Sequence, residues 1–218
     1  MNYLSHALPF LDDPYYVAGA GVPDLLSVVD RKVRVRARHV EPFRNDADPV
    51  VAALAGGLAQ HFRDDARFHE TRAFAETSMA LSAAVRDVLP PDPGFRPSFL
   101  GHVLVEVLLD WALSVEDPSA LDRYYRALNA IDPLLVESTL NRFMPRQTDR
   151  LAPMIVMFSA ERVLCDYAED AKLLFRMNQV MRRVGFAPLP DSLTEIFPAA
   201  RELISKRRTE LLAGIPVA

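Results

Sequence analysis

The segment Phe99 to Val115, FLGHVLVEVLLDWALSV, constrains the fold more than any other stretch of the chain. It carries His102, Glu106 and Asp110 at intervals of four residues, and nearly all its other residues are apolar. At about 3.6 residues per turn, this spacing predicts a helix with one polar stripe on otherwise apolar faces, which other helices normally enclose. Because burying unpaired ionisable groups is costly, we expect the stripe to bind a metal ion, to pair with cations or to take part in proton transfer.

The composition agrees with a helical protein. Half of the 218 residues are hydrophobic and only eight are glycine, which favours an all-α fold with a sizeable core. We predict a single-domain helical bundle over residues 1–218. A membrane span is not expected, because a span needs about 20 apolar residues and the run from Phe99 to Val115 has 17, interrupted three times.

Charge and cysteine content narrow the class of protein further. The formal net charge of −4 gives no general attraction to nucleic acid, so no nucleic-acid partner is expected. The single Cys165 excludes an intrachain disulfide. The N-terminus has no basic segment followed by an apolar one, so we expect a cytoplasmic protein.

Asp24 is a candidate site residue near the start of the chain. Gly19, Gly21 and Pro23 are expected to break a first helix and to place Asp24 at the start of a second, Asp24 to Val29. There its carboxylate can cap the backbone N–H groups or turn inward to a ligand.

A short extended arm is expected near residues 31–40. The sequence RKVRVRARH, from Arg31 to His39, alternates charged and apolar residues with a period of two. This pattern predicts an exposed strand or arm with Arg34, Arg36 and Arg38 on one side. These side chains either face water or form a patch that docks an anionic surface.

A second stripe lies in the predicted helix from Asp48 to Arg72. Asp48 followed by proline is a typical helix start, and His61, Asp65 and His69 recur inside the helix at intervals of four. Small residues upstream would let another helix approach closely, namely Ala55, Gly56, Gly57 and Ala59. A further amphipathic helix is expected from Ala73 to a break at Pro90–Pro91.

One ion can hardly be bound by both histidines of the second stripe. Eight residues of straight helix span about 12 Å, whereas a zinc–nitrogen bond is about 2 Å. Either one adjacent pair binds a metal, or two ions lie along the stripe, or the helix breaks near His69. Alternatively, these side chains face water or pair with Arg63, Arg67 and Arg72.

The candidate chemistry is concentrated in residues 1–115. All five histidines lie in this half, and four of them, His6, His61, His69 and His102, lie beside carboxylates, a pattern suited to a divalent metal held between helices. Residues 116–218 show no second cluster of ligand types and are expected to complete the helical core. No GxGxxG, Walker A, GxSxG or CxxC motif is present, so nucleotide-binding and hydrolase-elbow folds have no support.

Three segments together resemble the acyl carrier protein phosphodiesterase family. They are the opening MNYLSHALPFL with GAGVPDLL, then GLAQHFRDDARFH, then FLGHVLVEVLLDWAL, which cover roughly residues 1–115. The positions that match the family's shared residues are His6, Asp24, His61, Asp65 and Asp110. In two places the chain departs from the family, since Glu106 and His69 stand where an aspartate is usual.

The resemblance implies an HD-like helical fold and a metal-dependent phosphodiesterase. Relatives of this family use histidine and aspartate around a divalent ion such as manganese. The implied reaction removes 4′-phosphopantetheine from acyl carrier protein, with water activated by the ion attacking the phosphodiester. That acidic partner could dock on the basic residues between Arg31 and Arg38. The spacing of His61, Asp65 and His69 is also similar to motifs of zinc-dependent phospholipase C-like proteins.

On this basis we assign roles to eight residues. We predict that a divalent ion, manganese or zinc, is bound by His61, Asp65, His102 and Glu106. We predict that catalysis, by orienting ligands or transferring protons, involves Asp24, His69, Asp110 and His6. Two other classes stay open, which are a protein with a purely structural ion and a helical binding module without catalysis.

Overall fold

The chain folds into helices. The computed structural model describes residues 1–89 and 96–216, and every regular element in these ranges is helical, which confirms the predicted all-α class. The α-helices are α1 (Tyr3–Ala7), α2 (Pro14–Val29), α3 (Ala37–Val40), α4 (Pro49–Glu70), α5 (Arg72–Val88), α6 (Pro97–Glu116), α7 (Ala120–Asn129), α8 (Pro133–Phe143), α9 (Leu151–Glu161), α10 (Asp170–Val184) and α11 (Phe197–Leu211). The break predicted at Pro90–Pro91 lies outside the described residues.

The described helices form two compact units. The α6 unit comprises Met1, Arg67–Glu116 and Leu164–Ile215, and the α2 unit comprises Asn2–Ala66 and Asp117–Val163. In the α6 unit, α6 packs against α5 and α11. In the α2 unit, α2 packs against α1, α7 and α9. Both units draw on residues 1–115 and on residues 116–218, and the single domain stays a prediction.

Helix α6 contains the stripe of His102, Glu106 and Asp110. It has 20 residues, ten of them buried, and is longer than the expected segment. Its length and mean hydropathy would suffice to cross a membrane, a test that buried core helices also pass. The helix is longer than the 17-residue apolar run because Pro97, Ser98 and Glu116 extend it at its two ends, and the absence of a membrane span stays a prediction.

Helix α2 is continuous, and the predicted break at Gly19 to Pro23 was wrong. The helix runs from Pro14 to Val29 with Pro23 inside it, although this proline cannot donate a helical hydrogen bond. Its N-cap is Asp13, whose Oδ1 accepts a hydrogen bond from Tyr16 N at 3.1 Å. Asp24 therefore lies within the helix and does not cap a new one.

Glycines allow α2 and α4 to approach each other closely, as the small residues of α4 predicted. A Cβ at Gly19 would overlap the carbonyl oxygen of Leu54. A Cβ at Gly57 would overlap the carbonyl oxygen of Tyr16 and lie 2.7 Å from Ala20 N. Since these obstacles are backbone atoms, side-chain movement cannot relieve them. The close approach explains why α2 stays helical through residues of low helix propensity.

The predicted extended arm covers only part of residues 31–40. Val33 and Val35 are buried and Arg34 and Arg36 are exposed, so the expected alternation is present in this stretch. The chain then turns into the short helix α3, in which the period of two ends. No strand occurs in the described ranges.

Candidate metal-binding groups

His6, His61 and Asp65 converge in the α2 unit, and we call them the Asp65 group. His6 lies in α1, whereas His61 and Asp65 lie one turn apart in α4. The Nε2 atom of His6 is 3.3 Å from Asp65 Oδ1, and that of His61 is 3.4 Å from Asp65 Oδ2. His6 is 0% and His61 is 3% exposed. Two buried imidazoles therefore face the two oxygens of one carboxylate.

The Nδ1 atom of each imidazole in this group is held by an acceptor. His61 Nδ1 lies 2.9 Å from the carbonyl oxygen of Ala20 in α2. Because a carbonyl oxygen only accepts, Nδ1 of His61 carries a proton, and in the neutral ring Nε2 then keeps its lone pair. His6 Nδ1 is 3.5 Å from Asp64 Oδ2. Such partners orient metal-binding histidines in proteins and fix their tautomer.

The electrostatics of the Asp65 group favour a charged carboxylate. Burial opposes ionisation, but the close His6 and His61 imidazoles outweigh burial and hold the pKa of Asp65 far below its ordinary value. Burial also opposes a charged His6, yet the nearby carboxylates of Asp64, Asp65 and Asp24 raise its pKa. A divalent cation would therefore compete with protons for the histidine nitrogens.

His69, His102 and Glu106 converge in the α6 unit, and we call them the Glu106 group. His69 lies in the last turn of α4, and the other two lie one turn apart in α6. The Nε2 atoms of His69 and His102 are 3.2 Å and 3.3 Å from the same oxygen, Glu106 Oε1. The two rings stack with centroids 5.0 Å apart, and Phe74 presents an edge-on ring to each of them.

The carboxylate of the Glu106 group is also strongly favoured in its charged form. Burial opposes ionisation, but hydrogen bonds from His102 and His69 outweigh it and hold the pKa of Glu106 well below its ordinary value. The terminal ammonium of Met1 lies 3.1 Å from the same Oε1. The His69 and His102 side chains are 33% and 42% exposed, so this group is open to solvent while the Asp65 group is largely enclosed.

Both groups fit a divalent metal ion. In each, the three ligand atoms lie within 4.8 Å of one another. Two donors bound to one ion at about 2.1 Å are at most about 4.2 Å apart, so small side-chain movements would complete either site. Two histidines and one carboxylate leave an open coordination position on zinc, and manganese also accepts these ligand types.

The residues predicted to bind metal are distributed over both groups. His61 and Asp65 belong to the Asp65 group, and His102 and Glu106 belong to the Glu106 group. Each pair is joined by a histidine for which the sequence predicts a catalytic role, His6 in one case and His69 in the other. That all four predicted ligands share one ion stays a prediction.

Asp24 and Asp110 lie outside these two groups of three. Asp24 is half-buried in α2, and its charge raises the pKa of His6. Asp110 is 1% exposed in α6, one turn beyond Glu106. The catalytic roles assigned to these two carboxylates stay predictions.

The arginines near the second stripe make their contacts elsewhere. Arg63 donates to Gln60 Oε1 at 2.6 Å, Arg67 donates to the carbonyl oxygen of Gly214 at 2.8 Å, and Arg72 pairs with Glu76. The alternative in which these arginines neutralise the stripe therefore has no support in their contacts. The carboxylates of the two groups instead face histidines.

Two buried polar residues of the site were missed in the sequence. Gln60 is 6% and Asp64 is 1% exposed, and Gln60 Nε2 donates to Asp64 Oδ1 at 2.6 Å. The spacing of four between them is a helix-pair signal. This signal is weak in the sequence because Asp65, with the same side chain, stands at the next position and shares the spacing of His61 and His69.

Comparisons with known proteins do not extend this description. No protein-family model, no curated protein and no solved structure matches the chain.

Proposed function

We propose that this protein is a divalent-metal-dependent phosphodiesterase. The observation that carries the proposal is the convergence of two imidazole Nε2 atoms on one carboxylate, which occurs in both the Asp65 group and the Glu106 group. The resemblance of residues 1–115 to the acyl carrier protein phosphodiesterase family supports a phosphodiester as the substrate class.

The residues of the two groups would hold the ions. A bound divalent ion supplies Lewis-acid activation of water and neutralises charge on the phosphoryl oxygens. His6 and His61 are buried ligands on one side of the partly exposed Asp65 carboxylate, which favours tight binding. His69, His102 and Glu106 are partly exposed, so a phosphate ester can approach them from solvent. Asp24 adds negative charge near His6 and so favours a cation there.

A generic aryl phosphodiester provides the first test. With added manganese or zinc, the protein should hydrolyse bis(4-nitrophenyl) phosphate, and a chelator should abolish the reaction. His61→Ala and Glu106→Gln should each lower kcat/KM by at least about 10–100-fold, the cost typical of weakened metal binding. His39→Ala is the matched control, because His39 belongs to neither group. Equal activity of all variants, or activity that survives chelation, would contradict the proposal.

Holo acyl carrier protein tests the substrate. Incubation should release phosphopantetheine, and Asp24→Ala or His61→Ala should abolish release. The exposed Arg34 and Arg36 would attract the acidic carrier, so replacing both with serine should raise KM for the carrier and leave hydrolysis of the aryl ester unchanged. Hydrolysis of the aryl ester without release from the carrier would keep the enzyme class and exclude this substrate.

A zinc-dependent phospholipase C-like hydrolase is the second candidate. The Glu106 group favours it, because two histidines and a glutamate are a ligand set of catalytic zinc. Release of phosphocholine from phosphatidylcholine vesicles by the zinc-loaded protein would select this candidate over the first. Tightly bound metal without turnover of any of these three substrates would instead indicate a structural ion.

A further inference from the structure

A chain of polar side chains leads from the surface of α4 to His6. Arg63 Nη2 donates to Gln60 Oε1 at 2.6 Å, and Gln60 Nε2 donates to Asp64 Oδ1 at 2.6 Å. Asp64 Oδ2 in turn lies 3.5 Å from His6 Nδ1. Arg63 is exposed, whereas Gln60, Asp64 and His6 are 6%, 1% and 0% exposed.

The chemistry of these four side chains sets the direction of each hydrogen bond between them. A guanidinium only donates and an ionised carboxylate only accepts. Gln60 must therefore turn its oxygen to Arg63 and its amide nitrogen to Asp64, and His6 must present Nδ1–H to Asp64. His6 Nε2 makes no hydrogen bond of good geometry and is the nitrogen that faces Asp65 Oδ1 at 3.3 Å.

We propose that Arg63, Gln60 and Asp64 form a positioning relay that holds His6 in the tautomer and orientation needed to bind a divalent cation through Nε2. The inference rests on the proposed function in requiring metal at the Asp65 group. The tautomer, however, is a property of the metal-free protein and is measured separately. His61 needs no such relay, because the carbonyl oxygen of Ala20 already holds its Nδ1–H.

Asp64→Asn provides a sharp test because the new side chain has nearly the same shape but both donates and accepts. With Gln60 Nε2 still donating to its oxygen, the new amide nitrogen at position 64 would face His6 Nδ1 as a donor. The ring would then have to accept at Nδ1 and carry its proton on Nε2, where the proton blocks the metal. Long-range 1H–15N NMR of the imidazoles reports this change directly in chelator-treated protein, at a pH high enough for the ring to be neutral.

A second substitution should reverse the effect. In the double variant Gln60→Glu/Asp64→Asn, the carboxylate at position 60 would accept both from Arg63 and from the amide nitrogen at position 64. The amide oxygen would then face His6 and restore Nδ1–H. We expect the zinc Kd of the Asp65 group, measured by competition with a chromophoric chelator in a Glu106→Gln background, to rise about 10–100-fold in Asp64→Asn. It should return to within about threefold of wild type in the double variant.

The controls separate the relay from general effects on folding. Asp12→Asn, at an exposed aspartate of the same unit, should change neither the tautomer nor the zinc Kd, and circular dichroism verifies the fold of each variant. An unchanged His6 tautomer in Asp64→Asn, or a zinc Kd that does not recover in the double variant, would overturn the relay. Wild-type protein that shows the Nδ1–H tautomer but binds no zinc would refute the proposed function and, with it, the relay's role in metal binding. If Asp64→Asn does not fold, the double variant decides, because an Nε2–H tautomer there would equally overturn the relay.

Discussion

At the scale of single residues, Asp65 and Glu106 have in common that two imidazoles lie against one carboxylate. They differ in what surrounds the imidazoles. His6 and His61 are buried and have acceptors at Nδ1, whereas His69 and His102 are partly exposed and packed against Phe74. Preorganised ligands lose less conformational freedom on binding, so we expect the Asp65 group to bind metal more tightly than the Glu106 group.

Metal content provides the first prediction at this scale. His61→Ala should lower the bound divalent metal of protein purified without chelator, because it removes one of three ligands from the Asp65 group. Elemental analysis measures the ratio of metal to protein, with His39→Ala as the control that keeps the wild-type ratio. Full metal retention in His61→Ala would remove His61 from the set of ligands.

The pH dependence of stability provides the second prediction. The pKa of His6 in the folded protein is raised above 6.5, so the charged ring stabilises the fold fully below about pH 6.5. This contribution is lost as the pH rises through the folded value. In chelator-treated protein, the difference in unfolding free energy between wild type and His6→Gln should therefore shrink from pH 6 to pH 9, as measured by urea denaturation. A difference that is constant or grows would contradict the raised pKa.

The lowered pKa of Asp65 acts in the opposite direction. Its ionised form stabilises the fold above the ordinary value of 3.8, and this contribution is lost as the pH falls below that value. Acid should therefore destabilise wild type more than Asp65→Asn. The two pKa shifts together mean that, without metal, the Asp65 group stabilises the fold most between pH 3.8 and 6.5.

At the scale of elements, the contact between α2 and α4 decides the geometry of the Asp65 group. His61 projects from α4, and its Nδ1 partner is the backbone carbonyl of Ala20 in α2. This bond exists only because glycines in both helices let the backbones approach. Any side chain that separates the helices should therefore also break this bond and let the His61 imidazole rotate away from Asp65 and His6.

Two glycine substitutions form a matched pair for this contact. Gly57→Ala places a Cβ against backbone atoms of α2 and should destabilise the fold by about 1–3 kcal/mol, as overpacking does. Gly21→Ala places its Cβ 3.7 Å from Tyr3 Cδ1, an ordinary contact, and should stabilise by about 0.5–1 kcal/mol through helix propensity. Urea denaturation measures both, and equal effects of the two substitutions would contradict the close approach.

At the scale of the whole molecule, each compact unit contains one candidate metal group. An ion that binds only the folded chain stabilises it by mass action, by about 2.7 kcal/mol when its concentration is one hundred times Kd. For a chain of this size, that corresponds to roughly 5–10 °C in the unfolding temperature. Stability should therefore depend strongly on metal.

Calorimetry with and without chelator tests this dependence. Removal of metal should lower Tm by roughly 5–10 °C per ion, and added zinc or manganese should restore it. The double variant His61→Ala/Glu106→Gln should show the low Tm with or without metal. A Tm of the wild type that does not respond to chelator or to added metal would exclude tight metal binding at both groups.

The sequence by itself determined the fold class and the residues that carry chemistry. The all-α class follows from the composition and from the helical spacing of residues along the sequence. The start of α4 follows from Asp48 and Pro49. Both signals are local in the sequence. The spacing of four brought out six of the ionisable residues, because side chains at that interval share one helix face. Five of these six, all except Asp110, lie in the two groups that the structure shows.

The tertiary structure alone decided how these residues combine. His6 meets residues more than fifty positions away, and His69 meets Glu106 on another helix, contacts that no local period encodes. The continuity of α2 through Gly19 and Pro23 depends on its packing against α4, which outweighs the weak helix propensity of those residues. The partner that holds His61 is a backbone carbonyl, a group present in every residue, so only the folded chain could show which one it is.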